Sequence, residues 1–250
     1  MRSVTVLGSG NAFNYSGRAH ACYLLENTAG ERMLMDCGAT SLQRLHQERF
    51  DFGSLSYVIL THFHGDHFLG LPFLLLQLGL LSGRREELPI YGPPGVAVKC
   101  SQLVELAYPG LDFRFPVRYH EVTAPVTIGA FRVEPYPITH RPESTGYRVS
   151  GPNGKTFAFS GDTACDENLF RLMDGVDLGI MELSMPEQTN PPTAHVSLAE
   201  VVNQRDRLNA RRLVFSHIYD ELAEDVRALN ARRETPLGEI AEDGAVYDFD

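Results

Sequence analysis

The chain is short of several things, and each shortage narrows what it does. No apolar run reaches the roughly 20 residues that a membrane-crossing helix needs. The longest candidate, 68–81, is interrupted by Gly70, Pro72, Gln77 and Gly79, so a membrane span is not expected. Cysteines number four, Cys22, Cys37, Cys100 and Cys165, with no Cys-X-X-Cys pair. That spacing fits neither a zinc ribbon nor a disulfide framework and points to reduced packing residues. Positive charge is scarce: 22 Lys and Arg stand against 32 Asp and Glu, a formal net charge of -10. A nucleic-acid track needs basic surface to displace condensed counterions, and the Arg-rich piece Arg205-Asp206-Arg207 with Arg211-Arg212 is short and broken by an acid. Its expected role is a solvated helix face. Met1-Arg2-Ser3-Val4-Thr5-Val6 runs straight into a strand pattern without an apolar signal region, which implies a cytoplasmic location. Tryptophan is absent, which carries little weight, and neither a repeat nor a low-complexity linker is visible.

What the chain does have is the hexapeptide His62-Phe63-His64-Gly65-Asp66-His67. Imidazole nitrogen and carboxylate oxygen are the donors that hold Zn²⁺ and similar borderline cations. A single histidine is more often a surface or core polar group; three with an aspartate in six positions are a metal site. The β-branched, apolar Tyr57-Val58-Ile59-Leu60 precedes the cluster and the long apolar run follows it, so it sits where a buried strand gives way to a helix. His62 and His64, two apart at a strand end, are expected to point the same way. Asp66 and His67 open the helix, where an acid suits the positive end of the helix dipole.

Three further residues share that context. His140 follows the alternating segment Phe131 to Ile138, Asp162 follows Thr156-Phe157-Ala158-Phe159, and His217 follows Leu213-Val214-Phe215. Taken singly, each histidine reads as well as a packed core residue; with the cluster, all three are expected ligands. Since residues from 62 to 217 must meet at one place, the chain is expected to be one domain over 1–250.

The order of elements expected is strands near 3–8, 21–26 and 31–36, a helix near 41–48, strand 57–60, a helix within 66–81, strand 89–91 and a helix near 95–107. Strands near 131–138, 145–150 and 155–160 follow, then helix 166–173, strand 178–182, helix 197–208, strand 213–216, helix 220–231 and a last strand near 245–248. Hairpins first and helix-alternating strands later imply layered α/β architecture.

At this point the sequence resembles the metallo-β-lactamase superfamily over nearly its full length, and within it the ribonuclease Z-like phosphodiesterase branch. The resemblance is carried by the His-X-His-X-Asp-His motif and by Val4 to Gly10, Asp36-Cys37-Gly38, Leu60-Thr61-His62, Ile138-Thr139-His140, Gly146-Tyr147-Arg148, Ser160-Gly161-Asp162-Thr163 and Ala194-His195-Val196-Ser197. It implies a four-layer αββα sandwich with two divalent metal ions at one edge. One ion would be held by His62, His64 and His140, the other by Asp66, His67 and His217, with Asp162 bridging. Zinc is the expected metal, manganese and iron the alternatives. Asp162 stands where zinc β-lactamases place a cysteine, which argues against β-lactam hydrolysis.

The implied chemistry is attack by metal-bound hydroxide on a small phosphodiester, with Asp66 orienting the water and His195 protonating the leaving oxygen. Glu182 would orient His195, and Arg148 is a candidate only by proximity to the motifs. Ribonuclease Z enzymes carry an arm that clamps tRNA, in some forms between the positions of His140 and Asp162. Here these are 22 residues apart, around Gly151-Pro152-Asn153-Gly154, so tRNA is disfavoured as a partner. A homodimer is compatible with the resemblance. The competing readings are a thioester or lactone hydrolase resembling glyoxalase II or the lactonases, and a non-hydrolytic di-iron protein.

Overall fold

The computed structural model describes residues 1–14 and 16–249. The first half supplies β1 (Ser3–Gly8), β2 (Cys22–Glu26), β3 (Arg32–Met35), α1 (Ser41–Gln47), β4 (Leu55–Ile59), α2 (Gly65–Phe68), α3 (Leu71–Leu76), β5 (Leu88–Gly92), α4 (Val96–Ala107) and β6 (Val117–Glu121). The second half supplies β7 (Val126–Ile128), β8 (Phe131–Pro137), β9 (Thr145–Ser150), β10 (Thr156–Phe159), α5 (Glu167–Met173), β11 (Leu178–Glu182), α6 (Leu198–Gln204), β12 (Arg212–Ser216), α7 (Asp220–Asn230) and β13 (Glu239–Ile240). A last strand, β14 (Val246–Asp248), returns to the first half and pairs with β1.

Two sheets result, ordered β14-β1-β2-β3-β4-β5-β6 and β13-β12-β11-β10-β9-β8-β7. Each half begins with antiparallel hairpins and continues with parallel crossovers: β1–β2–β3 then β4–β5–β6, and β7–β8–β9–β10 then β11–β12–β13. The repetition is one of topology, without a sequence repeat.

Side-chain alternation explains the layers. A strand presents successive residues to opposite faces. On β4, Ile59 enters the core between the sheets while Val58 packs under helices; on β10, Phe157 and Phe159 face the other sheet while Ala158 faces helices. The central core holds Tyr23, Met33, Phe131, Tyr147 and Ile180, the outer face of the first sheet packs on α1, α3 and α4, and that of the second on α5, α6 and α7. Burying each such side chain contributes about 1.5–3 kcal/mol relative to exposure. The molecule is thus an αββα sandwich. Polar links cross the central core as well: Tyr147 donates to the Leu60 carbonyl at 3.1 Å, and Tyr23 meets Ser216 at 2.6 Å.

The structure departs from the expected element order in places. The helix expected within 66–81 divides into α2, α3 and a π-helical turn, Gln77–Leu81. Its break has a cause: a Cβ on Gly70 would lie 2.2 Å from the Gly38 carbonyl oxygen, so only glycine lets the segment lie against the 37–38 loop. Two strands, β6 and β7, occupy a stretch where none was expected. They are sheet-edge strands with half-exposed, mixed residues such as Val117-Arg118-Tyr119-His120-Glu121, which carry little periodic signal. The two-residue β13 was also unforeseen, and helix 197–208 ends as α-helix at Gln204 before a 3₁₀ turn. Among the described residues no helix is long and apolar enough to cross a membrane. All four cysteines are free, and Cys22, Cys37 and Cys100 are buried.

Candidate metal centre

The carboxyl ends of β3, β4, β8, β10, β11 and β12 open on one edge of the sandwich, the position where α/β sheets place ligand sites. Just past these ends stand Asp36, His62, His140, Asp162, Ser184 and His217. His64 caps α2, whose first turn carries Asp66 and His67. All seven residues expected as ligands therefore converge, in two groups that share Asp162: His62, His64 and His140 on one side, Asp66, His67 and His217 on the other.

Asp162 divides its two oxygens between the groups. Oδ2 lies 3.6 Å from His62 Nε2 and 3.7 Å from His140 Nε2, whereas Oδ1 lies 3.1 Å from His67 Nε2 and 3.4 Å from His217 Nε2. His64 Nδ1 and His140 Nε2 approach to 3.0 Å, and Asp66 Oδ2 stands 3.1 Å from His217 Nε2. His62 Nε2, His67 Nε2 and Asp162 Oδ1 are buried without a hydrogen-bond partner; the last two are close but misaligned for a hydrogen bond. A buried polar atom left unpaired costs about 1–3 kcal/mol; a cation in the first group would satisfy His62 Nε2, and one in the second would satisfy His67 Nε2 and Asp162 Oδ1. The donor set, imidazoles and carboxylates, is also that of a divalent transition-metal site. The residues fit two ions.

Four of the five histidines are held by their other nitrogen, which fixes tautomer and ring direction. His67 Nδ1 donates to Asp36 Oδ2 at 2.7 Å, His140 Nδ1 to the Ala194 carbonyl at 3.1 Å, and His217 Nδ1 to Ser184 Oγ at 2.8 Å. His62 Nδ1 meets Thr61 Oγ1 at 3.1 Å, and that hydroxyl donates to Asp36 Oδ2 at 2.8 Å. Asp36, fully buried, thus steers ligands of both groups. The motif Asp36-Cys37-Gly38 was visible in the sequence, but nothing in it assigned this task. Two centre residues sit in the left-handed region, Asp36 at φ 58° and His217 at φ 55°, strain that non-glycine residues keep where surroundings over-determine them.

His195 stands beside the centre, its ring 4.8 Å from that of His140. Its Nδ1 is 3.0 and 3.1 Å from the two oxygens of buried Glu182. Glu182 also accepts from Thr163 N at 2.5 Å, Ser184 Oγ at 2.5 Å and Val196 N at 3.3 Å, so the carboxylate is immobilised and His195 with it. The loop that carries His195 is fixed in turn by the reciprocal Ser197–Glu200 cap on α6. Burial acts to lower the pKa of His195, but the Glu182 hydrogen bond and the charges of Glu182 and Asp162 outweigh it and raise the value. Arg148 is elsewhere: it stacks on Tyr136 and donates to the carbonyls of Arg171, Leu172 and Asp174 at the end of α5. A pocket of about 230 Å³ covers the centre, lined by Asn11, Phe13, Met185 and His195 as well as His64, Asp66, Asp162 and His217.

In the metal-free protein the two groups carry different protonation. Burial, with the charge of neighbouring His67, pushes His62 down to about 2; burial, with His195 adding to it, pushes His140 down to about 4. For His67 and His217 burial also acts downward, yet Asp162, joined by Asp36 for His67 and by Asp66 for His217, overrides it; His67 rises well above 6.5 and His217 to about 9. At pH 7 His62 and His140 are therefore ready for a metal, while the second group must shed protons from His67 and His217. Calorimetric titration in buffers of different ionisation enthalpy is expected to show less proton release for the first equivalent than for the second. The His217 share should vanish as pH rises through about 9. Equal release for both equivalents would contradict this assignment.

Residues 31–218 match the sequence profile of the beta-lactamase superfamily domain. The ribonuclease Z of Methanothermobacter thermautotrophicus is 26% identical, over 97% of this chain and 95% of its own length. The fold is similar to that of the metallo-beta-lactamase fold protein YhfI from Bacillus subtilis, with a TM-score of 0.79, 22% identity and 99% of both chains covered. It is also similar to a diphosphatase from the PhnP family, with a TM-score of 0.76, 20% identity, and 100% of this chain and 98% of that one covered.

Proposed function

The chain belongs to the beta-lactamase superfamily domain family, and on that premise we propose that it is a binuclear metal-dependent hydrolase of a small phosphodiester. The observation that carries the binuclear reading is Asp162, whose two oxygens face two separate nitrogen groups. His62, His64 and His140 would hold one divalent ion and Asp66, His67 and His217 the other, zinc being favoured by the donors and manganese or iron the alternatives. The ions would supply Lewis acidity toward the phosphoryl group and bring a water's pKa to roughly 7.

The remaining chemistry belongs to side chains. Asp66 would accept a hydrogen bond from the attacking water and so orient it. With Nδ1 committed to Glu182, His195 has Nε2 left for the substrate, and the Glu182 hydrogen bond and charge favour its protonated form. That proton goes to the leaving oxygen, while the fixed Glu182 carboxylate balances the imidazolium before transfer. Relatives named ribonuclease Z act on RNA, but three features of this chain favour a smaller substrate. Ile138–Ser144 and the Gly151–Gly154 turn leave no arm between His140 and Asp162; the pocket holds only about 230 Å³. Three of the four arginines in the Arg205–Arg212 stretch are taken up by acids: Arg207 by Glu167, Arg211 by Asp177 and Arg212 by Glu239. The metal ligands lie between residues 62 and 217 and β14 closes back on β1, which supports a single domain.

The deciding experiment is turnover of a panel by metal-loaded protein: nitrophenyl phosphodiesters, cyclic nucleotides, thioesters, lactones and precursor tRNA. Diester hydrolysis well above the others is expected. Thioester or lactone turnover without diester turnover would move the assignment to that hydrolase class.

A further inference from the structure

Phe13 stands out among the apolar side chains because it is 80% exposed and yet forms part of the wall of the centre's pocket. An isolated exposed phenylalanine needs no explanation. This one, however, shares its pocket with Ala12 and Met185, and none of the pocket's lining residues is a lysine or arginine. The wall around the reacting position is therefore apolar at Ala12, Phe13 and Met185 and polar at the other lining residues. The segment that carries it is anchored at both ends. On one side Phe13 N donates to Asn11 Oδ1 at 3.1 Å, Asn11 itself being buried. On the other, buried Arg18 donates to the Ala241 carbonyl at 2.6 Å and pairs with Asp220 at 2.7 Å and Glu242 at 2.9 Å. A chain that spends a buried arginine and a buried asparagine on holding this loop holds Phe13 in water.

We infer that Phe13 is a specificity residue, a platform on which a planar ring of the substrate stacks while its phosphodiester lies over the metal centre. The inference rests on the proposed phosphodiesterase reading and deepens it. The substrate class becomes a diester bearing a nucleobase or aryl ring, because Phe13 and Met185 offer a ring an apolar wall, while no lysine or arginine lines the pocket to hold a further phosphate away from the metal centre. Aromatic faces stack on any flat π-system, and a single base–aromatic stack contributes a factor of roughly 5 to 100 in affinity.

The test is calorimetric binding to metal-loaded protein of singly charged ligands with two P–C bonds and no ester to cleave: methylphosphinic acids bearing a phenyl, a uridine or an ethyl group. The native protein is expected to bind the two ring-bearing ligands roughly 5- to 100-fold more tightly than the ethyl one. Phe13→Ala should erase that preference while leaving metal content and affinity for the ethyl ligand unchanged, and Phe13→Trp should keep it. Tighter binding of uridine than of phenyl identifies a nucleotide-like substrate, and the reverse an aryl diester. A preference that survives Phe13→Ala overturns the platform and leaves the phosphodiesterase reading standing. Failure of all three phosphinates to bind overturns both.

Discussion

Asp162→Asn is expected to lose both metal ions and with them diester hydrolysis, although one carboxylate oxygen in one side chain has been changed. The bridging oxygens explain the breadth of the effect. Each lies within 3.7 Å of two imidazole nitrogens, one oxygen per group, so neutralising the carboxylate weakens both sites together. The loss should exceed the roughly 10–100-fold in metal affinity that removal of an orienting outer partner costs. Asparagine is preferred to alanine because it preserves shape. Asp162 is also a counter-charge for buried His67 and His217, and removing one partner of a buried ion pair costs about 3–5 kcal/mol. The metal-free variant should therefore unfold at a lower temperature than metal-free native protein. Metal analysis and thermal melts on the two proteins decide the matter. A variant retaining two tightly bound ions would show that Asp162 does not bridge.

His195→Ala should separate the proton donor from the ligands. Metal content and fold are expected to be unchanged, since His195 meets Glu182 and not Asp162 among the carboxylates within hydrogen-bond reach. Turnover should fall by about 10²–10⁴-fold for diesters with alkoxide leaving groups, the usual contribution of a positioned acid. Nitrophenyl diesters should be nearly unaffected, because nitrophenolate departs without a proton. Glu182→Gln should give a smaller loss of the same selectivity, since it leaves the imidazole in place and removes its counter-charge. Equal loss for both leaving groups would make His195 a substrate-positioning residue; loss of metal would make it a ligand.

The parts of this picture legible in the sequence share one property, that a single local pattern dictated them. The His62–His67 cluster was readable because a β-branched run and an apolar run frame it, and His140, Asp162 and His217 because each follows a short strand-like segment. The Gly151–Gly154 hairpin and the Ser197 helix start carry their own turn and cap chemistry, and both formed as expected. What stayed hidden depends on contacts between distant segments. Asp36 lies 31 residues before His67, and only folding shows that its oxygen meets His67 Nδ1. Ser184 joins Glu182 to His217 across two strand ends, a link without any sequence signature. Arg148, near the motifs in sequence, points away to close off α5, since strand alternation put its side chain on the helical face. Strands β6 and β7 escaped notice because sheet-edge strands bury little and alternate weakly.

The central claim is a two-ion phosphodiesterase centre, and the most direct measurement is restoration of diester hydrolysis in chelator-stripped protein as zinc is returned in known equivalents. Activity is predicted to stay low through the first equivalent, rise through the second and level at two per chain. Full activity at one equivalent, or with none, would contradict the account.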